Sequence, residues 1–327
     1  MSIKHKLDPR TCAFGADVIE KHLMAMTKEI EGVVNSEDIE YIHRMRVASR
    51  RLRSALPLFR ACFSKNQISK WLNEIKTITQ SLGNARDLDV QIEKLNNVIE
   101  DTKVSEYHPG LHRLNLRLRQ KRQKTQTHVI ILIEGLQRSP LLTDLQDALR
   151  NSIDQFCDEP YTLPLYQCAY DAIQQKLDIF LAGEEHIFNP ANIQELHQMR
   201  IEAKRLRYTL EVFAQIYPGE CKSELKIIKS AQELLGDIHD CDVWISFLPR
   251  FLEEETQRVL DYYGHTRPMN ILRPGINYLL AVKQQERESL YAQFIQQWQK
   301  WKDSETWQVL NSTIAAPLTF QNSGLSG

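Results

Sequence analysis

Glycine and proline are scarce in this chain, with twelve of each among 327 residues. So few turn-forming residues leave little room for many short strands and favour long helices. No apolar run approaches the ~18 residues needed to cross a bilayer. The opening stretch MSIKHKLDPR lacks the apolar core of a secretory leader. These absences argue for a cytoplasmic protein with no membrane contact. The six cysteines, Cys12, Cys62, Cys157, Cys168, Cys221 and Cys241, are scattered and include no CxxC pair. That argues against a disulfide framework or a zinc site and fits a reducing compartment. One more absence is local. The net charge is only -1, yet residues 41–73 contain no acid and eight Lys or Arg. Residues 107–133 again contain no acid, with six Lys or Arg. Acids gather elsewhere, in EGVVNSEDIE (31–40) and at 253–255. A ligand feels the local field, so this segregation points to an anionic partner.

What is present is a repeat. IHRMRVASRRLRSALPLF (42–59) is answered by LHQMRIEAKRLRYTLEVF (196–213) at an offset of 154. His43 meets His197, Arg46 meets Arg200, Arg50 meets Lys204, Arg51 meets Arg205 and Arg53 meets Arg207. SLGNARDLDV (81–90) is answered by LLGDIHDCDV (234–243) at an offset of 153, pairing Gly83, Asp87 and Asp89 with Gly236, Asp240 and Asp242. HPGL (108–111) answers RPGI (273–276) more loosely, after an insertion of about a dozen residues. Two copies of one ~150-residue unit suggest two similar bundles about an approximate two-fold axis, not a solenoid.

Each copy reads as helices. In the first, helical periodicity covers residues ~11–34, ~67–100 and a stretch ending near 137, with a short helix over ~141–157. Ser36 with Glu37 and Asp38 resembles an N-cap and first turn for the arginine-bearing helix, which is expected to reach Phe63 with a kink at Pro57. His108-Pro109-Gly110 marks a break. The second copy repeats the order at about 160–183, 190–217, 219–258 and 275–311. No segment alternates as a strand does, so the class is all-α, two four-helix bundles from an internal duplication.

At ~100° per residue, His43, Arg46, Arg50 and Arg53 share one arc, while Met45, Leu52, Leu56 and Phe59 lie roughly opposite. His197, Arg200, Lys204 and Arg207 form the matching stripe, and Arg51 and Arg205 lie on the flank. A further stripe runs through Arg113, Arg117, Lys121, Lys124 and His128. Such faces are often merely solvated. Here, however, like charges at i,i+4 repel by some tenths of a kcal/mol per pair, and the same order of charges occurs twice. Arginine forks match phosphate oxygens and stay ionised, and a neighbouring histidine can add a proton near neutral pH. Rows of these residues suit a linear polyanion.

Asp87, Asp89, Asp240 and Asp242 read as carboxylates that orient arginines, because successive helical positions i and i+2 face different ways. His239-Asp240 resembles the dyad of metal phosphohydrolases, but the other copy has Arg86-Asp87 and no further cluster surrounds it, so no metal site is expected. A metal would prefer carboxylates or cysteines beside His43 and His197, not arginines. Tyr291, Phe294, Trp298 and Trp301 read as packing residues.

H-x-M-R-x-x-x-R/K-R-L-R in two copies, each followed by L-G-x-x-x-D-x-D-V, resembles the CHAD domain, the conserved histidine α-helical domain. The resemblance spans residues 11–310, with halves 11–157 and 160–310 and a tail at 311–327. It implies two four-helix bundles with pseudo-two-fold symmetry and a central groove or pore that binds inorganic polyphosphate. By resemblance, His43, Arg46, Arg50, Arg53, His197, Arg200, Lys204 and Arg207 contact phosphate. Arg51, Arg205, Lys76, Lys229, Arg113, Arg117 and Lys121 stand in a second rank. At the looser alignment Arg113, Arg117 and Lys121 meet Tyr278, Val282 and Glu286, which predicts copy one to be the more basic half. Many relatives carry an N-terminal tripolyphosphatase-type domain with an E-x-E-x-K motif. That motif is absent here, so the resemblance implies a standalone binding module without catalysis or cofactor. Polyphosphate granules and polyphosphate-metabolising enzymes are the implied associates. An RNA-backbone binder is the alternative, although the basic faces lack interleaved aromatics. A metal-dependent phosphohydrolase is a weaker one, since its metals need clustered carboxylates.

Overall fold

The computed structural model describes residues 8–35, 38–153 and 161–320. Among them every regular element is helical and none is a strand, as the all-α reading requires. In chain order the α-helices are α1 (Pro9–Thr27), α2 (Ile30–Asn35), α3 (Ile39–Ala55), α4 (Lys65–Asp101), α5 (His108–Arg138) and α6 (Leu141–Ile153). They continue as α7 (Leu163–Leu181), α8 (Ile193–Phe213), α9 (Lys222–Tyr263), α10 (Met269–Asp303) and α11 (Thr306–Phe320).

Local chemistry sets the ends. Asp8 accepts from the backbone N–H groups of Arg10 and Thr11 at 3.1 and 3.3 Å, with Pro9 starting α1. Ser64 and Gln67 form a reciprocal capping box on α4. Gly264, at φ 72, closes α9 in the left-handed conformation that glycine adopts at no steric cost. Asp38 caps α3, accepting from Glu40 N at 3.1 Å, whereas Ser36 and Glu37 lie outside the described residues.

Three expectations need correction. The helix bearing the first arginine stripe stops at Ala55 and does not run kinked to Phe63. Pro57 has no N–H to extend the ladder, and a short 3-10 turn, Arg60–Cys62, follows. RPG does not open the last bundle helix: α10 begins at Met269 and carries Pro274 inside it. Residues 311–320, assigned to a tail, belong to α11, whose Leu310 and Ile314 are buried.

Eight of the eleven described α-helices form two chains of neighbours, with α2, α6 and α11 packed against them. α3 lies against α1 and α4, and α4 against α5; α8 lies against α7 and α9, and α9 against α10. Contacts of α3 with α8 and of α5 with α10 join the two. The larger core surrounds the α3–α8 contact and includes Met45, Leu52, Leu56, Phe59, Met199, Leu206, Leu210 and Phe213. The packing reading of the late aromatics holds: Phe294, Trp298 and Trp301 are buried in this core, and Tyr291 packs on its edge. A second core forms between the far ends of the long helices, from Leu88, Leu95, Leu111, Leu114 and Leu118 with Trp244, Leu248, Phe251, Ile276 and Leu279. Along α4 the first core ends at Ala85 and the second begins at Leu88; along α9 the corresponding residues are Ile238 and Trp244. The L-G-x-x-x-D-x-D-V segments fall at this changeover.

Where α5 meets α10 the backbones touch. A Cβ on Gly110 would collide with the Leu272 carbonyl oxygen, and one on Gly275 with the Tyr107 carbonyl oxygen. The contact is reciprocal, since Gly275 and Leu272 each lie 165 residues beyond Gly110 and Tyr107. Glycine is what the close approach of HPGL and RPGI requires.

Cysteine spacing misled. Cys12 on α1 and Cys62 after α3 form a disulfide, with Cα atoms 5.5 Å apart. The packing of α1 on α3 brings together two residues that are 50 apart in sequence. Such a bond is uncommon in a reducing compartment, so cysteine usage no longer supports that expectation. Cys157 lies outside the described residues. No described helix is long and apolar enough to cross a membrane.

Candidate anion-binding site

Burying Met45, Leu52 and Leu56 on one face of α3 turns the opposite face, with its cations, toward α8; Met199, Leu206 and Leu210 do the same for α8. Arg46 therefore lies close enough to Arg50, Arg200 and Lys204 to disfavour their charged forms. Lys204 is pushed down to about 7, first by burial and then by Arg200, Arg50 and Arg46. Burial lowers Arg50 as well, helped by Arg46, Arg207 and Arg51 against the opposing Tyr208. Burial and Arg46 lower Arg200, while Asp240 and Asp87 oppose them. Arg50 Nε and Arg200 Nε are buried with no protein acceptor. A buried donor without a partner costs about 1–3 kcal/mol. This crossing is a concentration of positive charge that the fold only partly neutralises, through Asp87 and Asp240.

The glycines of the second motif neighbour the arginines of the first. A Cβ on Gly83 would stand 3.5 Å from Arg46 Nε, and one on Gly236 would stand 3.6 Å from Arg200 Nε. Each guanidinium thus lies beside a glycine of the facing helix, at a distance where a Cβ would make ordinary contact. One turn further, Asp87 holds Arg46 Nη2 at 3.3 Å. Asp89 accepts from Arg122 Nε at 2.6 Å, and Asp242 accepts from Arg287 Nε. Arg287 lies 165 residues beyond Arg122, so both halves carry this pair. Three of the four aspartates thus orient arginines. Asp240 is the exception: its partner is Lys94 Nζ, at 2.9 Å, reaching from the other half.

The histidines head their stripes in different company. His197 Nδ1 lies 2.9 Å from His239 Nδ1, a spacing at which one proton lies between the rings. His239 is pushed down to about 4 by burial, Arg200 and His197, and burial, Arg200 and Lys204 lower His197. His43 has Arg86 where the second half has His239. Burial and Arg86, partly opposed by Glu40, lower His43, and its Nδ1 is buried without a protein partner.

Other expected ligands are placed differently. Arg113 and Arg117 do not form an open stripe. Both donate to Glu255, which is 0% exposed, and Arg258 joins them. Arg51 and Arg207 share Glu211, at 3.2 and 3.1 Å. Arg205 is held by Glu202 at 2.6 Å, and the exposed Lys229 faces Glu233 at 3.6 Å. Lys121 is exposed and stands outside the crossing. On α10, Lys283 is buried against Glu286 at 2.5 Å. Copy one is therefore not made more basic by α5.

A cleft of about 1580 Å³ opens beside the crossing. The half-buried Arg50 and Lys204 line it together with the exposed Arg53 and Lys76. Arg60 and Lys176 also line it, and the stripe pattern missed both because they lie on the turn after α3 and on α7. Among the described residues, no three His, Cys, Asp or Glu side chains converge as a metal's ligands would.

The fold and site define an all-helical protein with a cationic centre, only partly compensated, where α3 meets α8. The family model of the CHAD domain matches residues 17–249, and the chain belongs to that family. The structure is similar to that of the CHAD domain from the plant Ricinus communis, with a TM-score of 0.61 and 23% identity over 89% of this chain and 92% of that one. It is also similar to PptA from Streptomyces chartreusis, with a TM-score of 0.58 and 14% identity over 88% of this chain and 99% of that one. At these identities the likeness concerns the fold. Uncharacterized proteins of two Mycobacterium tuberculosis strains are 24% identical over 234 residues, 69% of this chain. The matched region spans 44% of their length.

Proposed function

We propose that this chain binds inorganic polyphosphate at the α3–α8 crossing, as a binding module rather than a hydrolase. The observation that carries the reading is the pair of buried donors with no protein acceptor, Arg50 Nε and Arg200 Nε, beside Lys204, which burial and the neighbouring arginines depress. A phosphate chain supplies acceptors and negative charge together, and relieves both costs. The two sides of the site read as halves of an internal duplication about an approximate two-fold axis, within one domain that includes α11. Membership of the CHAD family, which is linked to polyphosphate binding in general, supports the ligand class.

RNA is the competing ligand. Tyr208 is the one aromatic side chain lining the cleft, and its ring is covered by Arg50 and Arg207, at 4.9 and 5.0 Å. That leaves no open face on which a base could stack. The test is a titration with long-chain polyphosphate at two salt concentrations, with RNA of equal phosphate content as competitor. Tight, salt-sensitive binding that RNA does not displace is expected. Preferential RNA binding would overturn the reading. Orthophosphate release with Mg2+ or Mn2+, above trace contamination, would overturn the non-catalytic role.

A further inference from the structure

The two sides of the crossing are not alike. At the offset of 154, Ser54 and Pro57 of the first half correspond to Tyr208 and Glu211 of the second. Glu211 neutralises Arg51 and Arg207, and the Tyr208 ring underlies Arg207 and Arg50. Arg53, the counterpart of Arg207, has no carboxylate at ion-pairing distance among the described residues; it is exposed and lines the cleft. Arg60, Lys76 and Lys176 likewise have no such carboxylate among the described residues and line the same cleft as Arg50 and Lys204; Arg60 and Lys76 are exposed and Lys176 is half-buried. The cleft's own acids are few and engaged. Asp8 caps α1, and Asp171 accepts from Gln167 Nε2 at 2.9 Å. Lys176 also has a telling counterpart, for the same offset leads to His22. Burial and Arg51 push His22 down to about 4, so the corresponding position on the other side carries a neutral ring at neutral pH.

We propose that the cleft is a one-sided extension of the anion site. Arg53, Arg60, Lys76 and Lys176 hold the phosphates beyond the central cluster. Glu211 closes the equivalent path on the opposite side, so a linear polyphosphate leaves the crossing in a single direction. The inference rests on the polyphosphate reading above, and its ligand is the part of the chain too long for the centre to hold.

The test compares tripolyphosphate with long-chain polyphosphate. Arg60→Ala with Lys176→Ala is expected to weaken long-chain binding by about ten-fold, the scale of two surface charge contacts. The loss for tripolyphosphate should be about two-fold or less. The charge-conserving pair Arg60→Lys with Lys176→Arg should keep most of the long-chain affinity, which separates charge from misfolding. Glu211→Gln should raise long-chain affinity by freeing Arg51 and Arg207. Equal losses for both ligands, no loss for either, or an unchanged affinity in Glu211→Gln would overturn the proposal. The central reading has its own control: wild-type affinity for both ligands in Arg46→Ala with Arg200→Ala would overturn that reading instead.

Discussion

Arg117 grips Glu255 with two parallel bonds, Nε to Oε2 at 2.9 Å and Nη2 to Oε1 at 3.1 Å, across 138 residues of sequence. Arg113 adds a bond at 2.7 Å from the same helix. Burial pushes the Glu255 carboxyl up, but the hydrogen bonds from Arg117, Arg258 and Arg113 outweigh it and hold the carboxyl below its usual value. Glu255→Leu leaves three guanidiniums without their acceptor, and such breaks cost about 3–5 kcal/mol. A urea unfolding curve should show that loss. A group depressed in this way contributes its stability above the ordinary glutamate value of 4.5 and loses it as pH falls below. The acid arm of the wild-type stability profile should therefore flatten in the variant.

Lys204 predicts how binding depends on pH. In the ligand-free protein it titrates at about 7, well below the usual 10.5. A bound anion favours the charged form, so affinity should be highest below pH 7 and fall as pH rises above it. Titrations at pH 6 and pH 9 would check this, and equal affinities would refute it. For folding the sign is reversed. Below pH 7 the folded chain bears the full cost of the buried charge, and that cost fades as pH rises from about 7 toward 10.5. Lys204→Met should raise the thermal midpoint of the ligand-free protein near neutral pH and weaken polyphosphate binding, exchanging function for stability.

Arg46 and Arg200 should dominate the electrostatic affinity. Replacing both with Ala should weaken binding by at least about ten-fold and lower its salt dependence, by analogy with counterion release from nucleic acids. Lys28→Ala with Lys300→Ala changes the net charge equally but lies away from the crossing. Similar losses in the two double variants would show a general field effect and no defined site.

The Cys12–Cys62 bond should be a stability element. It closes a loop of 50 residues, for which the chain-entropy account gives roughly 4 kcal/mol. Cys12→Ser with Cys62→Ser should lower the unfolding free energy by about 2–4 kcal/mol. Reduction of the wild type should reproduce the shift, and a midpoint insensitive to reductant would contradict it.

The sequence revealed most of the site's centre, because α3 and α8 each had to show a core face and therefore a second face. It also exposed Asp89 and Asp242 as arginine partners, although it could not show that those partners were Arg122 and Arg287. What it missed depends on side chains that meet across the fold. Glu211 and Glu255 read as ordinary surface acids along their own helices, and only packing turns them onto Arg51, Arg207, Arg113 and Arg117. Arg60 and Lys176 carry no periodic signal, since one lies on a turn and the other is a lone cation on α7. The cysteines failed for a related reason: spacing along the chain says little about a bond that helix packing creates.

The second core has a consequence for synthesis. Its first contributors lie at 88–118 and its second at 244–279. A ribosome making this chain releases the first set well before the second exists. For more than a hundred residues of elongation, Leu88, Leu95, Leu111, Leu114 and Leu118 have only the α4–α5 contact, and not the α9–α10 surface, to cover them. Nascent chains of this protein are then most exposed to aggregation in the middle of translation, and it is the emergence of Trp244, Phe251 and Ile276 that ends the interval.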